Sequence, residues 1–402
     1  MRRDDDDMLE GVSSRLITPV FIGRRAQLAS LEAAYAAVRH GEPATVLLGG
    51  EAGVGKSRLA AEFAGRVRAQ GGRVLIGGCL ELGADGLPFA PFTAVIRDLV
   101  RHDGAAAVIG LLGGRAGEIG RLLPDLARAE PEPAQTAGSA ADTYPGEGRG
   151  RLFEQMLTLF EQLSAGGPVV LVVEDLHWAD HSTRDLLSFL VSNQRVLPGA
   201  LIIGTFRSDE LHRTHPLRPL LAELARLAWV ERAELPRLTR RETAELLASS
   251  LGREVEPERL DSVFARSEGN PLFAEELLCC GDELPDSLRD LVLGRVQRLP
   301  PATQDVLRIA GAAGDCAGYA LLSAVSGLSD GDLESALRPA VAANVLVASP
   351  DGYAFRHALI REAMYEDLLP GERSRVHAGF AKAITADESL AAGRPSIQLA
   401  HH

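Results

Sequence analysis

Lysine is scarce in this 402-residue sequence: only Lys56 and Lys382 occur among 42 basic residues, and all the others are arginine. The two side chains differ physically, since lysine carries a compact ammonium and arginine a planar guanidinium with fixed donor geometry. We therefore expect a chain so rich in arginine to keep lysine where a guanidinium would not fit. Lys56 lies in a glycine-rich segment, which makes it a candidate functional residue.

Long apolar runs are absent as well, and no stretch approaches the roughly 20 apolar residues that cross a membrane. The N-terminal residues 1–7 are mostly charged and lack the apolar core of a secretory signal peptide. The four cysteines show no metal-type spacing and do not indicate a disulfide framework. These absences favour a cytoplasmic protein without a membrane partner.

A surplus of positive charge is missing too, because the formal net charge is −13. Proteins that bind DNA through its phosphates usually present a basic face. The acidic total does not exclude such a face, but it makes DNA a poor candidate for a direct partner of this chain. With 46% hydrophobic and 24% charged residues, the composition is that of a globular protein of two or three domains.

What is present is a phosphate-binding motif. Residues 50–57 fit GxxxxGK(S/T); a buried-strand pattern at 45–48 precedes them and a helical pattern at 59–63 follows. In such a loop, backbone N–H groups and the helix N-terminus bind phosphates, the lysine reaches the β- and γ-phosphates, and the serine hydroxyl binds Mg²⁺. The alternative, a glycine-rich turn that happens to carry a lysine, is disfavoured by this context. The expected contacts of ATP or ADP are Gly50, Glu51, Ala52, Gly53, Val54, Gly55, Lys56, Ser57 and Arg58.

Two carboxylates follow the buried strand predicted at 168–173. Glu174 and Asp175, placed downstream of a phosphate loop, are the residue types that bind Mg²⁺ and position the attacking water. Either acid fits either role, and we favour Asp175 as the magnesium-side or catalytic acid with Glu174 beside it. Arg207 follows the next predicted strand, where open α/β sheets bind ligands, and is a candidate contact of the γ-phosphate. The alternative for Arg207 is a surface arginine.

Apolar segments alternate with helical patterns in the first half of the chain. They predict an α/β fold of the P-loop NTPase type, with a doubly wound parallel five-stranded sheet at 16–236. Residues 1–15 are expected to form a flexible leader, and 129–150, rich in Pro, Gly, Ala and acidic residues, a flexible insertion. The predicted strands are 45–48, 74–79, 168–173, 200–206 and 229–235, and the predicted helices are 27–39, 58–70, 93–101 and 151–163.

After Pro236 the pattern becomes helical, which predicts a small helical lid domain at 237–282. Residues 283–372 predict three helices followed by a short hairpin, the pattern of a winged-helix domain. Across 284–372 there are seven arginines against twelve acidic residues, a net charge of −5. That sign is wrong for a module that reads a DNA groove. We therefore expect the winged helix to pack on the nucleotide domain instead.

The sequence resembles the signal-transduction ATPases with numerous domains (STAND), a branch of the AAA-type P-loop ATPases. Within them it is most similar to the N-terminal half of the large ATP-binding LuxR-type (LAL) transcriptional regulators. The resemblance covers about 16–380, with its motifs in the family's order. These motifs are residues 21–24, 50–57, 171–180, 204–207, 268–273 and 355–362.

The resemblance implies contacts beyond those of the phosphate loop. Pro271, in the helical lid, would press on the base or ribose, and His357 would contact the β-phosphate of ADP and hold a closed state. A lone histidine beside an apolar stretch is more often structural, so the motif carries this expectation. His177 and Trp178 belong to the matching signature and are assigned no catalytic role. The residues implied to line the adenine pocket are Phe21, Ile22, Gly23 and Arg24.

The family's proteins continue into helical repeats and a C-terminal helix-turn-helix. We therefore expect this chain to be part of a longer protein or a short product, with 373–402 beginning a helical arm. The favoured function is an ATP/ADP switch with slow Mg²⁺-dependent hydrolysis that gates self-association and thereby transcription. The alternatives are a conventional AAA-type remodelling ATPase and, disfavoured by the acidity, a DNA-binding winged-helix protein. Turnover near the kinase-like range of about 1–100 s⁻¹ would count against a switch.

Overall fold

The computed structural model describes residues 20–81, 87–129, 147–197, 199–279, 286–314, 316–349 and 352–390. These residues fall into two compact units. The first unit spans Arg24–Pro236, and the second begins at Arg237 and also includes residues 20–23. The leader predicted at 1–15 lies outside the described residues, as do the final residues of the arm predicted at 373–402.

The first unit is built on a five-stranded sheet with the order β2-β3-β4-β1-β5, in which every neighbouring pair is parallel. The sheet confirms the predicted α/β P-loop NTPase fold. Each strand agrees with its prediction to within one or two residues. Continuous apolar runs, which are typical of strands buried in a parallel sheet, mark β1, β3 and β4. The strands are β1 (Ala44–Gly49), β2 (Arg73–Gly78), β3 (Val169–Glu174), β4 (Ala200–Thr205) and β5 (Val230–Glu234).

Both faces of this sheet are covered. In β3, Leu171 and Val173 belong to one large apolar cluster, while Val170 and Val172, on the opposite face, are fully buried outside it. The helices of this unit are one that precedes β1 and those that connect the parallel strands. They are α1 (Arg25–Arg39), α2 (Lys56–Ala69), α3 (Ala90–Asp103), α4 (Ala105–Leu111), α5 (Ile119–Leu122), α6 (Pro124–Arg128), α7 (Glu147–Ala165), α8 (His181–Ser192) and α9 (Leu217–Leu224).

The insertion predicted at 129–150 needs a correction at its end. Residues 130–146 lie outside the described part of the chain, but 147–150 form the first turn of α7. The glycines at 148 and 150 suggested a loop, yet the helix continues into a strongly packed segment in which Met156 and Leu159 are fully buried. Tertiary packing of the apolar face therefore overrides weak local propensity.

The second unit is mainly helical, with one apolar core that runs from Leu238 to Ile384. It contains a three-stranded antiparallel sheet of order β6-β8-β7. The hairpin β7–β8 was predicted; the two-residue strand β6 was not, because two residues carry no period. The elements are α10 (Arg240–Leu251), α11 (Pro257–Ser267), α12 (Pro271–Cys279), α13 (Asp286–Gln297), α14 (Pro301–Ala312), β6 (Cys316–Ala317), α15 (Tyr319–Ser326), α16 (Asp330–Ala342), β7 (Leu346–Ser349), β8 (Gly352–Phe355), α17 (Ala358–Glu366) and α18 (Pro370–Ala386).

Residues 20–23 differ from their prediction. The sequence placed them in a nucleotide domain starting at residue 16, whereas they group with the second unit. The reason is packing: Ile22 lies against the second unit's apolar core, and a Cβ on Gly23 would approach the Glu242 carboxylate to 2.7 Å. In the described parts of the chain, the helices are too short or too polar to span a bilayer.

Candidate functional site

The phosphate loop joins β1 to α2 in the first unit. Its backbone depends on glycine, since Gly50, Gly53 and Gly55 have φ values of 152°, 77° and 101°. These values lie in a region that other L-residues rarely adopt. A Cβ on Gly50 would also come within 2.9 Å of a methyl group of Val54. The loop is therefore shaped by its glycines, and α2 begins at Lys56 directly behind it.

Lys56 is almost fully buried, with 7% of its surface exposed. Its Nζ donates to the carbonyl oxygens of Gly50 and Glu51, each at 2.8 Å. Burial lowers the pKa of the ammonium, and the carboxylates of Asp209 and Asp175 partly oppose that effect. The lysine thus occupies a confined space inside its own loop, as the rarity of lysine predicted.

The predicted acidic pair lies at the carboxyl end of β3. Asp175 has a left-handed backbone, φ 57° and ψ 45°, and its side chain is 31% exposed. Burial raises the pKa of this carboxyl, Arg207 and Lys56 lower it, and the neighbouring charge of Glu174 raises it further. Glu174 ends the strand, where its carbonyl accepts from the Cys79 N–H at 2.9 Å.

Asp175 lies within the electrostatic reach of Lys56 and Arg207. Glu174 pairs through its backbone with the end of β2. This arrangement supports Asp175 as the acid nearer the phosphate-binding groups. The assignment of the two carboxylates to metal binding or water activation remains a prediction.

Arg207 follows β4 and enters a 3₁₀ turn, Ser208–Glu210. Its Nη1 donates to Glu210 Oε1 at 2.7 Å, and its guanidinium lies 4.8 Å from the Trp178 ring centroid. Its backbone N–H donates to Nδ1 of His177 at 3.4 Å. Arg207 therefore contacts three neighbours, which disfavours the alternative of an unconstrained surface arginine.

His177 is fully buried at its side chain. Burial, with Arg207 next in importance, lowers the pKa of its imidazole to about 3. The ring is consequently neutral at pH 7 and can accept the backbone hydrogen bond of Arg207. Sequence reasoning left this histidine without a role; the structure makes it a positioning residue for the loop after β4.

Thr205 and Ser208 are further residues to which the sequence assigned no role. Thr205 Oγ1 accepts from the Asp175 N–H at 3.1 Å, and the Ser208 N–H donates to the Gly50 carbonyl at 3.2 Å. Both contacts arise because β4 lies between β1 and β3 in the sheet. The end of β4 therefore connects the phosphate loop to the acidic pair.

Arg24 is buried, with 8% exposure, and its Nη2 donates to the Val54 carbonyl at 3.1 Å. It braces the phosphate loop from within the first unit. The other residues implied to line the adenine pocket, 21–23, group with the second unit. Their predicted contact with the base stays a prediction.

In the second unit, His357 immediately precedes α17 and is 7% exposed. Its Nδ1 contacts Arg237, which also pairs with Glu268. The other Glu268 oxygen accepts from the Ala358 N–H at 3.0 Å. Phe273 meets the His357 ring edge-on at 6.1 Å. The predicted phosphate-contacting histidine thus lies beside the ion pair of Arg237 and Glu268, which sequence reasoning did not assign to it.

Pro271 begins α12, directly after the buried Asn270. Close packing fixes this turn, because a Cβ on Gly269 would lie 2.1 Å from the Leu238 carbonyl oxygen. The motif that contains Pro271 therefore joins the start of the second unit's chain to α12. Its predicted contact with the nucleotide stays a prediction.

Comparison with known proteins agrees with the first unit's geometry. Residues 20–203 match the family described as the AAA ATPase domain. The matched region holds the phosphate loop, the acidic pair and most of β4. It is an AAA-type P-loop ATPase domain.

A solved structure of similar fold is described as a Walker-type ATPase of Pyrococcus abyssi. The TM-score is 0.54 and the identity 16%, over 86% of this chain and 96% of that one. A STAND protein with a tetratricopeptide repeat sensor from Pyrococcus horikoshii aligns with a TM-score of 0.41 and 16% identity, over 95% of this chain and 47% of that one. The second score is too low to establish a shared fold.

A curated relative, an uncharacterized protein of Rhizobium meliloti, is 26% identical over 421 residues. The match covers 95% of this chain but 38% of the relative. The chain therefore spans about two fifths of that relative's length.

The AAA domain presents oxygen donors that suit Mg²⁺. Ser57 is exposed at the start of α2, and the Asp175 carboxylate is partly exposed at the end of β3. Hydroxyl and carboxylate oxygens are the ligands that Mg²⁺ prefers, usually together with phosphate oxygens and water. Among the described residues, groups of three or more His, Cys, Asp or Glu side chains suited to an all-protein metal site are absent. The donor set fits a cation shared with bound phosphates.

Proposed function

We propose that this chain is an ATP/ADP-binding switch with slow Mg²⁺-dependent ATP hydrolysis. One observation carries the proposal: the Gly50 carbonyl accepts both from Lys56 Nζ and from the Ser208 N–H. Phosphates that engage Lys56 would draw it away from this carbonyl and leave Ser208 as its partner. Because Ser208 follows Arg207, the phosphate loop and the candidate γ-phosphate contact would respond together to bound phosphates.

The AAA domain's own residues have separate roles in this proposal. The loop N–H groups and Lys56 bind the phosphates, Ser57 and Asp175 hold Mg²⁺, and Asp175 or Glu174 activates water. Mg²⁺ would supply neutralisation of the phosphate charge. Burial raises the pKa of Asp175, and the charges of Arg207 and Lys56 oppose that effect.

The second unit would report the nucleotide state. We propose that α14, β6, α15, α16 and the β7–β8 hairpin form a winged helix, since helix, strand, two helices and a hairpin follow in that order. Through His357 and Pro271 this unit would distinguish ADP from ATP. A ligand shifts such an equilibrium only by its differential affinity for the two states.

We further propose that the switch gates self-association and serves a transcriptional regulator of the LuxR type. The motif order in residues 21–362 supports this, as does the length of the Rhizobium relative beyond the matched region. The acidic character of 284–372 favours a role in packing over direct DNA binding.

The test measures ATP and ADP affinity by calorimetry and ATP turnover in the same preparation. We expect tight binding of both nucleotides with turnover well below about 1 s⁻¹, and His357→Ala should weaken ADP more than ATP. An equal effect of His357→Ala on both nucleotides would leave that residue a structural role. Absence of nucleotide binding by the unmodified protein would refute the proposed function.

A further inference from the structure

Glu210 is a carboxylate beside the candidate γ-phosphate contact. Its Oε1 accepts from Arg207 Nη1 at 2.7 Å, and the two side chains are 26% and 29% exposed. The same guanidinium lies over the Trp178 ring at 4.8 Å. Arg207 is thus already occupied by a carboxylate, the same kind of partner that a γ-phosphate would be.

The His177 side chain lies next to both members of this pair. Its Nδ1 accepts the Arg207 backbone N–H, so that nitrogen carries no proton in the neutral ring. The proton then lies on Nε2, which is 3.5 Å from Glu210 Oε2. One Glu210 oxygen accepts from Arg207 and the other lies near the imidazole, without a hydrogen bond to it.

We propose that Glu210 is a positioning residue that competes with the γ-phosphate for Arg207. Without a γ-phosphate, Glu210 holds the guanidinium against Trp178; when ATP binds, Arg207 exchanges this carboxylate for the phosphate. The competition lowers affinity for ATP and leaves ADP, which lacks the γ-phosphate, unaffected. The inference rests on the proposed nucleotide function and identifies a device within the same site.

The test is Glu210→Gln, which keeps the shape of the side chain and removes its charge. Calorimetry with Mg²⁺ and either a non-hydrolysable ATP analogue or ADP gives the ratio of the two affinities. We expect the ratio to rise about two- to fivefold through tighter binding of the analogue, the range for an ion pair exposed to this extent. Glu223→Gln is the matched control, because Glu223 lies on α9 and accepts from Ser188 at 3.2 Å.

The same change in an Arg207→Ala background should have no effect on the ratio, since the competition needs the guanidinium. An unchanged ratio in Glu210→Gln, or an equal rise without Arg207, would overturn the inference. Either result leaves the proposed function standing, because wild-type binding is measured alongside.

A second measurement needs no nucleotide. The sequence has two tryptophans, so in a Trp229→Phe background the emission comes from Trp178 alone. The emission should change in Arg207→Ala, where the guanidinium is missing, and in Glu210→Gln, where the guanidinium is released. If Arg207→Ala changes the emission and Glu210→Gln does not, Glu210 does not hold the arginine and the inference is wrong, whatever the protein binds.

Discussion

Replacement of Lys56 tests the phosphate site most directly. In the structure, its ammonium makes two 2.8 Å hydrogen bonds to the carbonyls of Gly50 and Glu51, in a space where 7% of the residue is exposed. Transfer of two such charge-assisted bonds to phosphate oxygens is worth roughly 1.5–3 kcal/mol each. Part of this is offset because the carbonyl partners are given up. We therefore expect Lys56→Ala to cost about 3 kcal/mol, or roughly a hundredfold in affinity.

The assay is calorimetry with ADP and with a non-hydrolysable ATP analogue at constant Mg²⁺. Lys382→Ala is a natural control, since it removes the only other lysine of the chain from the exposed face of α18. Lys56→Arg keeps the charge but places a planar guanidinium in the same confined space, and we expect it to fail similarly. Affinity of Lys56→Ala within about threefold of wild type would refute the assignment of the phosphate site.

Three further predictions concern single residues. Asp175→Asn should abolish ATP hydrolysis and raise the free energy of unfolding at pH 7, because burial raises the pKa of this carboxyl above 3.8 and so opposes its ionisation. The gain in stability should fade as the pH falls toward 3.8. Urea unfolding measured across this pH range checks it, and a gain that does not fade would contradict the reasoning. The wild-type protein should lose up to about 1.4 kcal/mol of stability per pH unit as the pH falls from 6.5 toward 3, the range between the ordinary pKa of the imidazole and its lowered value in the folded protein. His177→Asn should lack this pH-dependent loss, and parallel wild-type and variant profiles would contradict it. Gly269→Ala should lower the free energy of unfolding in urea by about 2–4 kcal/mol, since the φ of Gly269 is +78° and an added Cβ would meet the Leu238 carbonyl. The control Gly252→Ala, with φ +67° in open space, should cost about 1 kcal/mol, and equal costs would argue against the clash.

The elements that could be predicted share a strong local signal. The five strands were located to within one or two residues. The signal is strongest in β1, β3 and β4, whose runs of Val, Leu and Ile are buried on both faces. The short helices at 105–128 and the strand at 316–317 were missed, since a few residues do not establish a period. The first turn of α7 was taken for a loop because its glycines outweighed the apolar face that follows.

The site divides in the same way. Lys56, Asp175 and Arg207 were predicted from motif and strand position, because each lies directly at the end of a predicted strand or loop. Thr205, Ser208, Asp209 and Glu210 were not, because their significance depends on contacts across the sheet. The unit to which residues 20–23 belong could not be predicted either, since Ile22 packs against a core more than 200 residues away in sequence.

By itself, the sequence determined that this chain carries a glycine-shaped phosphate loop with a single ammonium in it. That follows from local chemistry: glycine permits the backbone, and a lone lysine in an arginine-rich chain marks the confined space. Only the tertiary structure decided what surrounds that ammonium. The placement of β4 between β1 and β3 brings Ser208 to the Gly50 carbonyl and Arg207 to Glu210 and His177, because parallel strands end at one edge whatever their order in the chain. The order of the strands is set by long-range packing, which no local pattern records.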